Sequence, residues 1–210
     1  MATPTYQSTT VTDFGSDATS HAANMPATVT AGDLLLAVAA FDSASTTITT
    51  PSGWTRLIDI GGDPVAGVFA KVAAGTEDGS TVDFATSNVQ RGSVHVLRVT
   101  AWQGTLLGLG AANAFIGTTA IIGLSPSPTS RDYLFVVAQV KSTSGTFGAT
   151  PTNWINEAKT GAGEDTVASA SVATATRAIT GTATDANPLW ISLSGHPAFI
   201  MAVWPEGATP

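Results

Sequence analysis

The chain of 210 residues contains no cysteine, which excludes disulfide bonds and thiolate chemistry. Charged residues are also scarce. Asp, Glu, Lys and Arg make up 11% of the chain, against roughly 25% in ordinary globular proteins. The net charge is −7, and an acidic chain without a basic footprint is not expected to bind nucleic acid. A weakly charged surface rich in Thr, Ser, Ala and Gly is more typical of an extracellular β protein or a virion component than of a cytosolic enzyme.

Long apolar runs are missing as well. The longest, Leu34–Phe41, has the length of a strand, and no run reaches the roughly 18 residues that indicate a membrane helix. The opening residues, Met1-Ala2-Thr3-Pro4, lack the basic and apolar regions of a secretory signal. Taking Met1 as the native start, we expect neither a secretory signal nor a membrane span.

Short segments rich in β-branched and aromatic residues alternate with Gly, Pro, Asn and Asp, which predicts an all-β protein. We expect strands at 4–14, 18–26, 33–41, 54–60, 65–74, 80–85, 93–102, 120–124, 132–140, 154–159, 166–173, 177–184, 189–193 and 198–204. The Asp-Gly pair within 75–79 predicts a hairpin with a type I′ turn, because these residues tolerate positive φ.

The sequence repeats itself at a spacing of about 100 residues. The matching segments are 32–41 with 131–140 at an offset of 99, 50–54 with 150–154 and 70–73 with 170–173 at an offset of 100, and 93–99 with 197–203. Hydrophobic pattern and turn residues recur, whereas no catalytic residue type recurs at a matching position. This favours a duplicated scaffold over duplicated chemistry.

We interpret the chain as one β-sandwich domain spanning 1–210. Its parts are N-terminal strands or an arm (1–31), a first repeat half (32–103), a crossover (104–130), a second repeat half (131–205) and a C-terminal tail (206–210). Either half alone would leave open sheet edges and an uncovered apolar face. We therefore expect the halves to stack as two antiparallel sheets, roughly 10 Å apart.

Several motifs carry a resemblance to a known family. They are the run 24–37, the turn Pro51-Ser52-Gly53-Trp54, its weaker copy Pro151-Thr152-Asn153-Trp154, and the run 68–77. Together these resemble a jelly-roll β-sandwich family that occurs in bacteriophage virion proteins, including decoration, cement and tail proteins, and in bacterial surface proteins. The resemblance covers nearly the whole chain. It implies a jelly-roll-like fold, and its motifs mark the core and turns rather than a site.

Five tryptophans could form a sugar-binding platform. Two of them, Trp54 and Trp154, are repeat equivalents that follow Pro51 and Pro151 at the first position after a turn. That symmetry favours structural corners at these four residues. Carbohydrate binding stays an alternative.

No arrangement of His, Asp and Glu predicts a metal or catalytic site. His21, His95 and His196 lack the close pairing of metal ligands, and His95 aligns with Phe199, which indicates a core position. No Gly-x-Ser-x-Gly elbow is present. We therefore predict no enzyme activity, no cofactor and no metal.

The carboxylates fall in predicted turns. The neighbouring pairs 77–78 and 164–165 and Asp185 are interpreted as solvated turn residues, with acid–base chemistry or calcium binding as open alternatives. Calcium held by Asp59 or Asp63 with loop carbonyls is a further alternative.

The function favoured by these observations is that of a structural virion protein, most of all a bacteriophage capsid decoration or cement protein. The expected partner is the major capsid protein, and the expected form is a homo-oligomer, with a trimer on a local threefold axis. Such a protein is made in the host cytoplasm and resides in the virion. The alternative is a carbohydrate-binding module or tail-borne adhesin on the same fold, which would bind a cell-surface glycan; a hydrolase has the least support.

Overall fold

A computed structural model of the chain describes residues 2–43, 45–106, 110–115, 132–142, 147–150, 152–160, 170–179 and 197–205. These residues form β strands and connections, without a helix among them. The strands are β1 (Thr5–Ala18), β2 (Ala22–Asn24), β3 (Leu34–Phe41), β4 (Thr55–Ile60), β5 (Val65–Val72), β6 (Thr81–Asp83), β7 (Gln90–Thr100), β8 (Gly110–Phe115), β9 (Tyr133–Lys141), β10 (Ile155–Lys159), β11 (Ser171–Ile179) and β12 (Pro197–Val203).

The strands build two five-stranded antiparallel sheets that pack face to face. The first sheet has the order β1-β7-β3-β5-β4 and the second β10-β11-β9-β12-β8, while β2 and β6 form a small separate pair. The predicted all-β, two-sheet antiparallel sandwich is confirmed. The strand order differs from that of a regular jelly roll. Here each large sheet is built from one half of the chain, whereas in a jelly roll the chain passes repeatedly between the two sheets.

The internal repeat extends further than the sequence motifs indicate. In each sheet the first strand along the chain, β1 or β8, lies at an edge. The other strands follow it in the matching orders β7-β3-β5-β4 and β12-β9-β11-β10. Within 2–31, β1 pairs with β7 along its length and β2 pairs with β6. The crossover 104–130 likewise contains β8, which pairs with β12.

Side-chain direction corrects the offset of the central strands. Leu34 and Val38 of β3 face the second sheet, and Leu134 and Ala138 of β9 face the first. The offset is therefore even, and the offset of 99 for this pair is wrong. The register gives 100, because Leu34 lies opposite Val99 and Leu134 lies opposite its counterpart Val203. A shift of one residue would exchange the two faces of the strand, because side chains alternate with a period of two.

The alignment of 70–73 with 170–173 is also wrong. Thr55 pairs with Ala70 in the first sheet, and its counterpart Ile155 pairs with Thr176 in the second. Ala70 therefore corresponds to Thr176. The reason is the connection 160–170, which is longer than its counterpart 61–64.

Several strand boundaries differ from the predicted ones. The segment 18–26 contributes the end of β1 and the short β2. Strands were predicted at 166–173 and 177–184, and the described residues that span the gap between them form one continuous strand, β11. Thr and Ala at its centre are buried, so the polar Thr residues do not mark a turn there. The predicted strands at 120–124 and 189–193 lie outside the described residues.

The hairpin predicted at 75–79 is wrong. β5 pairs with β3 and β4, whereas β6 pairs with β2, so this segment leaves the first sheet instead of returning to it. Gly75 and Gly79 have φ of 82° and 58°, but Asp78 does not share this conformation. A type I′ turn needs positive φ at both central residues.

Apolar side chains form three layers. The central layer lies between the sheets and includes Val38, Val136 and Phe199. A second layer lies on the outer face of the first sheet, where Phe69 packs beneath β2 and β6 with Phe84. A third covers the outer face of the second sheet around Phe135. The central strands are thus buried on both faces, which explains their continuous apolar sequence.

Candidate functional site

Trp54 and Trp154 occupy equivalent positions, each directly before an edge strand. Both are buried, at 8% and 5% exposure. The residues before them, Gly53 and Asn153, share a left-handed conformation with φ of 77° and 69°, which Gly and Asn adopt most readily. In the first corner the Trp54 amide donates to the carbonyl of Pro51 at 3.1 Å. Pro51 is buried, and Pro151 lies outside the described residues.

The described tryptophans do not form an exposed aromatic row. The Trp54 ring packs edge-on against Phe84, with 6.3 Å between centroids. Trp102 is buried and its indole donates to the carbonyl of Gly32 at 2.8 Å. Trp204 packs edge-on against Tyr133 at 4.8 Å, while Trp190 lies outside the described residues. An extended sugar chain therefore finds no flat platform on the described tryptophans.

A pocket of about 460 Å³ opens beside Trp54, on the outer side of the first sheet. We call it the Trp54 pocket. It lies between the 49–54 loop, the end of β5 and the small β2–β6 layer. Its lining is Met25, Thr49, Thr50, Pro51, Ser52, Trp54, Lys71, Glu77, Ser80, Thr81, Val82, Asp83 and Ala85. The volume falls in the range of roughly 300–1,000 Å³ that small-molecule sites occupy.

Glu77 holds one wall of this pocket. Its carboxylate accepts hydrogen bonds from the backbone N–H groups of Ala74, Gly75 and Thr76 at 2.8–3.0 Å. It also pairs with the Lys71 ammonium at 2.9 Å. Burial alone would raise the pKa of Glu77, but these donors outweigh it and lower the pKa to about 2. Its interpretation as a solvated turn residue is therefore wrong: Glu77 is a buried anchor for the connection after β5.

The neighbouring Asp78 is used in the same way. Its Oδ1 accepts a hydrogen bond from the Val29 amide, which ties the connection after β5 to the segment before β3. The other predicted acidic pair, Glu164 and Asp165, lies outside the described residues, as does Asp185.

Two further charges of opposite sign line the pocket. Lys71 is the next-to-last residue of β5 and lies on the outer face of the sheet. Its ammonium has three donors, of which Glu77 takes one. Asp83 ends β6 and is exposed, with Oδ1 accepting from the Ser20 hydroxyl at 2.7 Å. No described residue hydrogen-bonds its Oδ2. Besides the hydroxyl groups of its lining, the pocket thus offers the Lys71 ammonium as a hydrogen-bond donor and the Asp83 carboxylate as an acceptor.

His95 belongs to a buried polar network between the sheets. Its Nδ1 lies 3.1 Å from the Thr174 hydroxyl and its Nε2 3.4 Å from that of Thr160. Thr160 in turn lies 2.7 Å from the Ser93 hydroxyl. Burial lowers the pKa of His95 to about 3. Although a serine, a threonine and a histidine are close together, their complete burial keeps them from any substrate, and they instead link the first sheet to the second.

His21 is buried in the outer layer of the first sheet. Its Nε2 lies 3.1 Å from the Thr86 hydroxyl, and its ring packs against Phe41 at 4.3 Å. Burial lowers its pKa, against the opposing effect of the Asp83 carboxylate. His196 lies outside the described residues.

Within the described ranges, no group of three or more His, Cys, Asp or Glu residues is placed to hold a metal ion. Asp59, one candidate for calcium, pairs with Arg56 at 2.8 Å. Asp63 precedes the cis proline Pro64 in the turn after β4. In the part of the chain that is described, neither residue belongs to a group of three carboxylates or histidines that could hold calcium.

Two features of the site escape sequence reasoning. Lys71 and Asp83 are brought to one pocket by different sheets, and no spacing between them predicts that. The hydroxyl network around His95 joins β7 to Thr160, which follows β10, and to β11. Only the alignment of His95 with Phe199 signalled its buried position.

No protein-family model, curated protein or solved structure matches the chain significantly. No helix among the described residues is long and apolar enough to cross a membrane. The functional assignment therefore depends on the geometry above and on the sequence motifs.

Proposed function

We propose that this chain is a structural protein of a bacteriophage particle, a capsid decoration or cement protein that binds the major capsid protein and stabilises the shell. The observation that supports the proposal best is how the reactive side chains are used. The described histidines are buried, Glu77 and Asp78 bind backbone amides, and Ser93 and Thr160 bond within the core. Side chains that catalysis would expose serve the fold instead.

The surface composition supports the same role. Residues with long charged side chains are few, so little side-chain entropy is lost when such a surface is buried against a shell. The chain acts in this proposal as a homo-oligomer, with a trimer on a local threefold axis as the expected form, made in the host cytoplasm and located in the virion. Repeated weak contacts with a symmetric shell then add up to stable binding.

The experiment is a particle inventory. Mass spectrometry of purified virions should find the chain in stoichiometric amounts with the major capsid protein, and electron microscopy should show the sandwich on the shell. Particles lacking the chain should lose their shells at lower temperature. Absence from purified virions would refute the proposal, and light scattering on the free protein tests the trimer separately.

The second candidate is a carbohydrate-binding module or tail-borne adhesin. The specific observation in its favour is the Trp54 pocket, which combines part of the Trp54 indole, exposed hydroxyls and two opposite charges. Binding of the purified protein to a glycan array tests it without reference to the virion.

A further inference from the structure

We propose that the Trp54 pocket binds a single neutral saccharide unit, such as the terminal pyranose of a glycan. This inference rests on the carbohydrate-binding candidate and adds the site, the ligand class and the residues that recognise it. It is independent of the particle assignment, since a decoration protein and a tail protein can both carry a saccharide site.

The charges in the pocket select a neutral ligand. Lys71 and Asp83 both line it. An anion attracted by the Lys71 ammonium is therefore repelled by the Asp83 carboxylate, and a cation attracted by Asp83 is repelled by Lys71. Glu77 cannot serve as a ligand group because three backbone amides and Lys71 occupy its oxygens. A neutral polyol can accept from the ammonium and donate to the carboxylate at the same time.

The remaining lining fits hydroxyl groups better than an apolar molecule. Thr49, Thr50, Ser52, Ser80 and Thr81 are exposed or half-buried along the pocket. Met25 and Val82 supply apolar patches for the C–H faces of a sugar ring. The Ser80 hydroxyl donates to the Glu77 carbonyl at 2.8 Å. A hydrocarbon ligand would displace water from the other hydroxyls without replacing its hydrogen bonds, which is unfavourable.

The shape of the pocket favours one sugar unit over an extended chain. Trp54 is only 8% exposed, and its ring packs against Phe84 in a T-shaped arrangement. At this exposure Trp54 offers only a small part of its indole to the pocket, which is too little for the flat face on which a polysaccharide stacks. A pocket of about 460 Å³ suits an end group.

The test is titration of the full chain with glucose, galactose, mannose and N-acetylglucosamine. Ligand-observed NMR and Trp fluorescence serve as the readouts of binding. We expect millimolar binding of at least one of them. Asp83→Asn should weaken that binding about tenfold or more, because it removes a charged hydrogen-bond acceptor. Asp59→Asn is the matched control, since it removes one carboxylate from an exposed position of the same half, and should leave binding unchanged.

A second pair of variants tests the contribution of Trp54. Trp54→Phe should weaken binding, whereas Trp154→Phe, at the equivalent corner, should not. Thermal melting shows whether Trp54→Phe lowers stability. If it does, Asp83→Asn still tests the pocket, because Asp83 is exposed and its replacement is not expected to disturb the core.

The outcomes separate the pocket from the candidate function. Sugar binding that Asp83→Asn and Trp54→Phe both leave intact overturns the site but not the carbohydrate-binding candidate. Tighter binding of glucuronate than of glucose overturns the neutral ligand. Failure of all four sugars overturns the inference, and failure on the glycan array as well removes the second candidate.

Discussion

At the scale of single residues, His95 gives the structure a specific pH dependence. Its pKa is about 3 in the folded protein and about 6.5 when unfolded. Between these values the unfolded chain binds a proton that the folded chain excludes. The stability that His95 contributes is therefore present above pH 6.5 and is lost as the pH falls towards 3.

We predict that His95→Gln flattens this dependence. The variant keeps a neutral hydrogen-bonding side chain between Thr160 and Thr174 but does not titrate. The free energy of unfolding of the wild type should fall more steeply than that of the variant, by about 1.4 kcal/mol per pH unit within the window. Urea titrations at several pH values measure both slopes. Parallel curves for the two proteins would show that His95 is not buried in neutral form.

The two corner tryptophans lead to a second prediction at this scale. Trp154→Ala should lower the free energy of unfolding by about 3–5 kcal/mol, as does truncation of other buried aromatic residues, and Trp54→Ala by a similar amount. Chemical denaturation of each variant provides the measurement. A variant as stable as the wild type would mean that its corner is not part of the packed layers.

At the scale of elements, close packing of β7 against β3 leaves no room at Gly92. A Cβ atom there would lie 2.1 Å from the backbone oxygen of Ala40 and 2.6 Å from the Phe41 ring. Gly92→Ala should destabilise the protein by roughly 1–3 kcal/mol or more, since the strands must move apart.

Gly15→Ala provides the matched control. It lies in β1 of the same sheet, and a Cβ atom added there would have no neighbour within 4 Å. Denaturation midpoints of the two variants give the comparison. Equal stability of the two variants would contradict the described pairing of β3 with β7.

The same scale shows what the sequence can predict. Leu34–Phe41 and Tyr133–Lys141 were identifiable because both faces of each strand are buried, which leaves a continuous apolar run. β8 was missed because its Gly- and Ala-rich sequence lacks that signal. The offset of 99 failed because residues of similar hydrophobicity occur on both faces of these strands, so the sequence does not distinguish the inward from the outward positions.

The site was less predictable than the fold. Glu77 has the sequence context of a solvated turn, yet the carboxylate is buried because three amides and Lys71 replace its water. The pocket itself depends on residues from the 49–54 loop, β5 and β6. Their proximity follows from the pairing of β2 with β6, which no local pattern indicates.

At the scale of the whole molecule, the two halves share their interior. Besides the central apolar layer, polar contacts cross between them: His95 with Thr174, Ser93 with Thr160, and Thr3 with Asp132 at 2.7 Å. Trp102 and Pro205 also form a bridge between the ends of the two halves. Separation of the sheets would expose the apolar faces of both and break these contacts.

Differential scanning calorimetry of the intact chain tests this duplicated, shared-core architecture most directly. We predict a single transition whose calorimetric enthalpy equals its van't Hoff enthalpy, because neither sheet can keep its inner face buried alone. A fragment comprising 1–103 should accordingly fail to fold. Two separable transitions, or a fragment 1–103 that melts cooperatively by itself, would contradict the account and make the halves independent domains.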